Sequence, residues 1–397
     1  MSIRITRHLA ILLALGLALG CSQGKEAVAA RDAVPEATTG PHFQELTSDP
    51  LTPRYGHQAN TLADGRVLFC GGKSTTRTLK DSEIYDPSTG KFRFTADLNV
   101  RRYHPLGTTL PDGRVFIFGG LGGLFDGDAV PQASGELYDP VMEQYTLVSA
   151  PDGVYSDTEA GSLTLLDTGQ VLILHQGRFQ SDALLYTPSS GFKTLPASSF
   201  FQLHKVGRSD FATATLPDGR VFICGGAVQG VEQNPNLIAG DPSTEFYDPS
   251  SNTFTPGPNM PFGLLGHRAV PLSDGSVLIF GGSTTANELL TWNQQVLRFN
   301  PSTHQFQVAS TAFNLLNHSA TVLTSGKVFA MGGLSDLATL FDPSTNAVVA
   351  SAHTTGEWIE EHTATLLPDG SVLVVGGVNR DFASGLPFLR QHALIFR

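Results

Sequence analysis

The chain has 397 residues, of which 42 are Gly, 24 are Pro and only 15% are charged. This composition favours many strands joined by tight turns, because Gly and Pro are typical turn residues. The formal net charge is −11 at pH 7, and no run of Lys and Arg interrupts it. A basic nucleic-acid footprint is therefore excluded, and no nucleic-acid partner is expected.

The first 20 residues are typical of an export signal. Arg4 and Arg7 give a positively charged start, and residues 9–20 are apolar but too few to cross a bilayer comfortably. The stretch ends in small residues before Cys21 and resembles the lipobox of bacterial lipoproteins. The resemblance implies that residues 1–20 are a lipoprotein signal peptide and that Cys21 is lipidated.

Lipidation of Cys21 would determine the cellular location of the protein. The protein would be anchored to a membrane, and Ser22 rather than Asp permits sorting to the outer membrane or the cell surface. There it would face the periplasm or the exterior. An ordinary secretory signal cleaved after Ala27-Val28-Ala29 is the alternative.

Two composition boundaries divide the rest of the chain. Residues 21–41 begin with the lipidated Cys and continue as a small, polar segment with Pro and Gly, typical of a flexible tether. Residues 42–397 form the folded body. Cys70 and Cys224 each precede a Gly-Gly pair at equivalent positions, which favours buried thiols over a disulfide.

A short segment recurs seven times in this body, at intervals of about 50 residues, which is the signature of a propeller. The copies are Asp64–Gly72, Asp112–Gly120, a degenerate Thr168–Gly177, Asp218–Gly226, Asp274–Gly282, Ser325–Gly333 and Asp369–Gly377. Each unit reads as four strands. An Asp-Gly hairpin joins the first two, the second is apolar on both faces and ends in Gly-Gly, and an Asp-Pro turn separates the third from the fourth.

These repeats resemble the kelch family, including the galactose-oxidase-type propellers, over residues 42–397. The resemblance implies an all-β, seven-bladed kelch-type β-propeller. The last repeat ends after its third strand at Arg397. Residues 42–47 look like the missing fourth strand, so we expect the last blade to be closed by an N-terminal strand.

The loops divide the propeller into two faces. The 1–2 and 3–4 turns are short and repetitive and lie on what we call the turn face. The 2–3 and 4–1 loops vary in length and lie on the variable face, where binding is expected. The ligand-binding candidates there are Arg54, Arg102, Tyr103, Tyr155, Arg208, Arg268, Trp292, Trp358 and Arg380.

Both tryptophans lie on the variable face, outside the repeat pattern. They suit stacking on a sugar ring or anchoring a partner, although each could simply pin its own loop. The sequence therefore favours a monomeric, membrane-anchored module that binds a protein or a glycan, without a cofactor and without catalysis.

Histidines near the channel mouth suggest alternatives. His57, His267, His318 and His362 share one repeat position, and His104 lies one place earlier in its unit. The simplest interpretation is that each histidine side chain hydrogen-bonds the backbone of the neighbouring blade. The alternative is a metal site drawn from His57, Tyr103, His104, His267, His318 and His362, which at least three converging side chains would support.

The resemblance to galactose oxidase sharpens the metal alternative. That enzyme holds copper with Tyr and His at the starts of innermost strands, and residues 102–113 resemble one such segment. Its radical Tyr needs a nearby Cys, and neither Cys70 nor Cys224 is so placed. A sugar isomerase using Glu360 or Glu361 with an Arg is a further alternative, implied by mutarotase-like kelch relatives.

Overall fold

The computed structural model describes residues 40–124, 129–151, 157–176, 182–195, 208–231, 234–286, 289–311, 315, 318–333, 335–354, 359–380 and 387–397. Cys21, Tyr155 and Trp358 lie outside the described residues. In the part of the chain that is described, no helix is long and apolar enough to span a membrane.

Seven four-stranded antiparallel sheets form the blades of a β-propeller. Strands are numbered 1 to 4 from the central channel outwards. Blade 1 comprises Gln58–Thr61, Val67–Cys70, Ser82–Asp86 and Lys91–Phe94; blade 2 Leu106–Thr109, Val115–Phe118, Ser134–Asp139 and Gln144–Ser149; blade 3 Asp157–Leu165, Val171–Gln176, Asp182–Thr187 and Gly191–Thr194. Blade 4 comprises Ala212–Thr215, Val221–Cys224, Thr244–Asp248 and Thr253–Pro256; blade 5 Arg268–Pro271, Val277–Phe280, Gln295–Asn300 and Gln305–Thr311; blade 6 His318–Val322, Val328–Gly332, Leu337–Asp342 and Ala347–His353; blade 7 Thr363–Leu366, Val372–Val375, Leu394–Phe396 and Phe43–Glu45.

The predicted closure of blade 7 is confirmed. Phe43–Glu45 pairs antiparallel with Leu394–Phe396, with Phe43 opposite Phe396. The Phe43 ring also packs against Phe396 at 5.4 Å and against Phe329 of blade 6 at 6.4 Å between centroids. The N-terminal strand therefore covers an edge that would otherwise be open for pairing.

The core consists of layers between neighbouring blades. Strand 2 is buried along its whole length in blade 1, as Val67–Cys70, and in blade 2, as Val115–Phe118. Leu68 and Ile84 of blade 1 pack with Val115 and Ile117 of blade 2 in one such layer. Strands that are apolar on both faces fit this position because each is covered from two sides. Cys70 and Cys224 are free, buried thiols within these layers, as predicted.

Glycine is required at particular turns. Gly72 has φ +90°, and a Cβ there would lie 2.8 Å from the carbonyl oxygen of Tyr55. In the Asp-Gly turns, Gly113 and Gly275 have φ values of +86° and +84°, which confirms the positive φ expected from the hairpin signal.

Four of the variable-face 2–3 loops contain two-stranded ribbons. They pair Leu121–Gly122 with Val130–Pro131 in blade 2, Ala227–Val231 with Asn234–Gly240 in blade 4, Ser283–Ala286 with Leu289–Trp292 in blade 5, and Val378–Arg380 with Pro387–Leu389 in blade 7.

Candidate functional site

A ring of left-handed residues, which the structure describes for five of the seven blades, borders the channel mouth on the variable face. Directly before strand 1, the 4–1 loops pass through Gly56, His104, Asp210, Gly266 and Glu361, which have φ values between 52° and 65°. The backbone N–H of Gly56 donates to the carbonyl of Glu361 at 2.9 Å, and that of His104 donates to the carbonyl of Gly56 at 2.8 Å. Gly266 donates to Asp210 in the same way, at 2.9 Å. These hydrogen bonds join blade 7 to blade 1, blade 1 to blade 2, and blade 4 to blade 5.

Three of these ring positions hold residues other than glycine. A left-handed conformation costs an ordinary side chain of order 1–3 kcal/mol, and such residues concentrate at functional sites. Here they are His104, Asp210 and Glu361, all of which have side chains able to bind ligands or transfer protons. The strained backbone therefore marks these 4–1 loops as candidates for a functional site.

Two of the three meet in what we call the mouth cluster, which consists of Tyr103, His104 and Glu361. The Tyr103 hydroxyl donates to Oε2 of Glu361 at 2.7 Å, and Nε2 of His104 lies 3.2 Å from the same oxygen. The cluster spans blades 2 and 7 across blade 1, where the ring residue is Gly56. A Cβ at Gly56 would overlap the Tyr103 ring, so the absent side chain makes room for the contact.

Neighbouring residues hold the phenol in place. The Tyr55 ring meets the Tyr103 ring edge to face, 5.6 Å away between centroids, and the Lys73 ammonium lies 5.5 Å from the centroid of the Tyr103 ring. The side chains of His104 and Glu361 are 25% and 10% exposed, so water or a ligand can reach them. Blade 1 thus supports a partly open site at the mouth.

The donor set of the mouth cluster is an imidazole, a phenol and a carboxylate. Nitrogen and oxygen donors of this kind suit borderline divalent ions such as Cu(II), and the same groups can act as an acid–base pair. Among the described residues, no three His, Cys, Asp or Glu side chains are grouped as metal ligands. With one phenol, one imidazole and one carboxylate, the mouth cluster would supply only part of a metal coordination shell.

The four repeat histidines do not join this cluster. Each is buried against the blade that precedes its own. Nε2 of His57 lies 2.9 Å from Thr363 Oγ1, Nε2 of His362 lies 2.8 Å from Ser319 Oγ, and Nε2 of His267 lies 3.4 Å from Cys224 Sγ. His318 packs against Gly281, where a Cβ would overlap its ring. Of the six metal candidates from the sequence, only Tyr103 and His104 come together, around the Glu361 carboxylate, so the expected convergence of three candidates is not met.

Burial keeps the repeat histidines neutral. Desolvation is the main cause that lowers the pKa of His267 to about 3 and that of His362 to about 4. It also lowers the pKa of His57 and His318 well below 6.5. Their contacts hold neighbouring blades together, which is a structural role.

Three of the nine ligand-binding candidates are buried arginines. Arg102 donates Nε to Glu136 at 3.0 Å and Nη1 to the carbonyl of Gly119 at 2.7 Å. Arg54 repeats this arrangement one blade earlier, with Glu83 and the carbonyl of Gly71. Arg208 is fully buried and paired with Asp241. Arg54 and Arg102 tie the loop before strand 1 to the end of strand 2 and to strand 3 of the same blade, whereas Arg208 ties it to Asp241 in the 2–3 loop of blade 4. All three side chains are buried in the structure.

The remaining candidates occupy separate places. Arg268 is exposed at the start of an innermost strand, and Trp292 is half-buried at the end of the blade 5 ribbon. Arg380 ends the first strand of the blade 7 ribbon. Glu361, named only with the isomerase alternative, proves to be the centre of the mouth cluster. Its register could have identified it, because it precedes a repeat histidine by one residue, as Gly56 and Gly266 do.

The described residues also line two cavities. One of about 600 Å³ lies on the turn face between blades 4 and 5, where Asp218, Arg220, Asp274 and Arg298 line it. Another of about 420 Å³ lies on the variable face between blades 1 and 2, beside Arg101 and Leu124. Cavities therefore exist on both faces.

Comparisons with known proteins agree with the fold. The chain is 24% identical over 302 residues to a galactose oxidase of Gibberella zeae, a match that covers 68% of this chain and 41% of that protein. The match thus spans less than half of the length of this relative.

A solved structure, described as a fungal alcohol oxidase with catalytic diversity among the AA5 family in complex with copper, superposes with a TM-score of 0.54. That match has 13% identity and covers 85% of this chain and 84% of that structure. No known protein-family model matches the chain. The architecture is that of the kelch and galactose-oxidase-type propellers.

Proposed function

We propose that the mouth cluster binds a divalent metal ion, with copper the first choice, and that the chain is a metal-dependent oxidoreductase. The observation that carries this proposal is the convergence of Tyr103 and His104 on the Glu361 carboxylate, at strained ring positions of the channel mouth. The named relatives support copper, because one of the matching structures is an alcohol oxidase in complex with copper.

The residues of the cluster have distinct roles in this proposal. His104 Nε2, Tyr103 Oη and the Glu361 carboxylate would hold the ion, which when bound supplies Lewis-acid and one-electron redox chemistry. Glu361 is placed to accept the Tyr103 proton, since the two oxygens are 2.7 Å apart. Tyr55 and Lys73 restrict the orientation of the Tyr103 ring.

The site lacks the cysteine on which the radical of galactose oxidase depends. A cross-linked Tyr radical needs a cysteine beside the metal-binding Tyr. Cys70 and Cys224 are instead buried in strand 2 of blades 1 and 4, and burial raises the pKa of Cys70 to about 12. The proposal therefore rests on ordinary protein ligands.

Copper titration of the purified chain tests this proposal, with calorimetry for affinity and electron paramagnetic resonance for nitrogen coordination. His104→Ala should weaken binding about tenfold or more. His353→Ala, which removes an exposed histidine from blade 6, is the matched control and should bind as the wild type does. Oxygen consumption with a panel of primary alcohols then tests catalysis. Absence of stoichiometric copper binding, or equal affinity in the His104→Ala variant, would contradict the metal site and leave the acid–base alternative.

A second candidate function is recognition of a glycan or a protein by the variable face. Its specific support is apolar surface on the ribbons and their loops, where Leu124, Val130 and Phe388 are exposed and Trp292 is half-buried. Exposed aromatic side chains are frequent anchors in binding sites. A glycan array and a pull-down with the purified chain test this function. Phe388→Ala should weaken any ligand found, whereas Phe94→Ala, on an outer strand, should not.

We also propose that the chain is exported and anchored through a lipid on Cys21, as its N-terminal sequence predicts. Cys21→Ser should release the protein from the membrane fraction into the soluble fraction. Continued membrane association of this variant would contradict the anchor.

A further inference from the structure

A single cationic side chain extends from the innermost strands. Arg268 begins strand 1 of blade 5 and is the only Lys or Arg in the seven innermost strands as the structure describes them. These strands surround the central channel, so a charge on one of them faces the channel or the boundary between blades.

Contacts place the guanidinium at the boundary between blades 5 and 6. Arg268 Nε donates to the carbonyl of His318 at 2.9 Å, which uses one of its five N–H groups. The side chain is exposed, and its terminal nitrogens contact no acceptor among the described residues. Four N–H groups on Nη1 and Nη2 therefore remain, and one from each nitrogen can donate in parallel to a ligand.

Electrostatic effects agree with a position near the axis. Burial is the main cause of the lowered pKa of His267 and His318, and the positive charge of Arg268 lowers both further. These histidines lie at the starts of the innermost strands of blades 5 and 6, so the charge of Arg268 lies at the inner edge of these two blades. Burial is the main cause that lowers the pKa of Arg268 itself, and the negative charge of Asp210, on the ring of blade 4, favours its charged form.

We propose that Arg268 forms an anion site in the central channel, which takes the carboxylate of a small organic acid or a sugar acid. The planar fork of a guanidinium matches a carboxylate with two parallel hydrogen bonds. The site is on blade 5, whereas the mouth cluster joins blades 2 and 7, so the inference does not depend on the metal.

Charge favours a monoanion over phosphate. Arg268 contributes one positive charge, Asp210 lies on the neighbouring blade, and the chain carries a net charge of −11. A dianion would meet more repulsion than a single carboxylate does. The preferred ligand therefore has one carboxylate, and its remaining groups extend along the channel.

The test is a calorimetric titration of the full chain with glucuronate, using glucose as the neutral analogue and inorganic phosphate as the dianion. Glucuronate should bind, and glucose and phosphate should bind more weakly or not at all. Arg268→Gln should weaken glucuronate binding about tenfold or more. Arg77→Gln is the matched control, because it removes the same charge from an exposed loop of the variable face.

Any of three results would overturn the proposal: no binding of glucuronate to the wild type, equal affinity in Arg268→Gln, or tighter binding of phosphate. If circular dichroism shows that Arg268→Gln is unfolded, Arg268→Lys replaces it in the test, because Lys keeps the positive charge but lacks the two parallel donors of the guanidinium. The glucuronate affinity of Arg268→Lys should lie well below that of the wild type. Equal affinity would contradict binding through two parallel guanidinium hydrogen bonds. Copper binding by Arg268→Gln should equal that of the wild type, which separates this site from the metal proposal.

Discussion

Nε2 of His57 lies 2.9 Å from Oγ1 of Thr363, and this contact joins the first innermost strand of the chain to the last. The histidine at the same position of blade 7 reaches Ser319 of blade 6, and that of blade 5 reaches Cys224 of blade 4. The repeated imidazole is therefore a contact between neighbouring blades. Its Gly partner in the preceding blade leaves space for the ring.

This burial predicts a pH dependence of stability. Because the folded state lowers the pKa of His267 to about 3 and of His362 to about 4, the unfolded chain binds more protons below the ordinary value of 6.5. The stabilisation is fully present above pH 6.5 and is lost as the pH falls towards 3. The free energy of unfolding should decrease by up to about 1.4 kcal/mol per pH unit for each such histidine.

Urea denaturation at pH 7, 6, 5 and 4 measures this slope. His267→Asn should give a smaller slope than the wild type, although it lowers stability at pH 7. Carboxylates also titrate in this range, so the difference between variant and wild type is the relevant quantity. His353→Asn, at an exposed position, should keep the wild-type slope. Parallel slopes for all three proteins would contradict the prediction.

Closure of blade 7 predicts unequal effects of two truncations. Deletion through Gly40 removes no residue of a described strand and should leave the melting temperature unchanged. Deletion through Asp49 removes strand Phe43–Glu45 and exposes an edge of blade 7. It should lower the free energy of unfolding by about 2 kcal/mol or more, since the Phe43 ring packs against Phe329 and Phe396. Equal melting curves would show that the N-terminal strand does not stabilise the ring.

The sequence predicts those features that depend on local patterns. The Asp-Gly turns, the apolar second strands and the Gly-Gly pairs recur at short, fixed spacings, so the blade number and the positive φ of Gly113 follow from them. The strand at residues 43–45 could be assigned because the last repeat lacks its fourth strand.

The site depends on distant contacts, which the repeats do not reveal. Arg102 lies in a 4–1 loop, where the sequence pattern predicts an exposed side chain. In the structure it pairs with Glu136 on strand 3 of the same blade, and both side chains are fully buried. The contact of His104 with Glu361 requires closure of the whole ring and a glycine at the intervening position of blade 1. No local pattern encodes either of these relationships.

The buried pair predicts a large loss of stability on neutralisation. Glu136 accepts from Arg102 Nε and from the backbone N–H of Asn99, so Glu136→Gln leaves a buried guanidinium without its counter-charge. Breaking such a pair typically costs about 3–5 kcal/mol. The control is Asp112→Asn, which breaks the exposed ion pair with Arg114 and should cost less than about 1 kcal/mol. Thermal and urea unfolding measure both, and similar losses would contradict the assigned role of Glu136.

Two ring glycines, Gly56 and Gly266, have the same backbone conformation. Comparing their Ala variants therefore separates the effect of backbone strain from the effect of a changed mouth cluster. Gly56 has φ +57° and Gly266 has φ +65°, so a Cβ at either position costs about 1–2 kcal/mol in backbone strain. A Cβ at Gly266 meets no atom within 4 Å, whereas a Cβ at Gly56 overlaps the ring of Tyr103. Gly56→Ala should therefore destabilise more than Gly266→Ala does, because the Tyr103 ring must move.

That movement should also change the cluster. Displacing Tyr103 separates its hydroxyl from the Glu361 carboxylate, so Gly56→Ala should weaken copper binding about tenfold or more. Gly266→Ala should bind copper as the wild type does, since its ring neighbour is Asp210 of blade 4. Melting temperatures and copper calorimetry on the two variants give independent answers. If both variants melt at the same temperature, Gly56 does not make room for Tyr103; if both also bind copper equally, the space above blade 1 has no part in holding the ion.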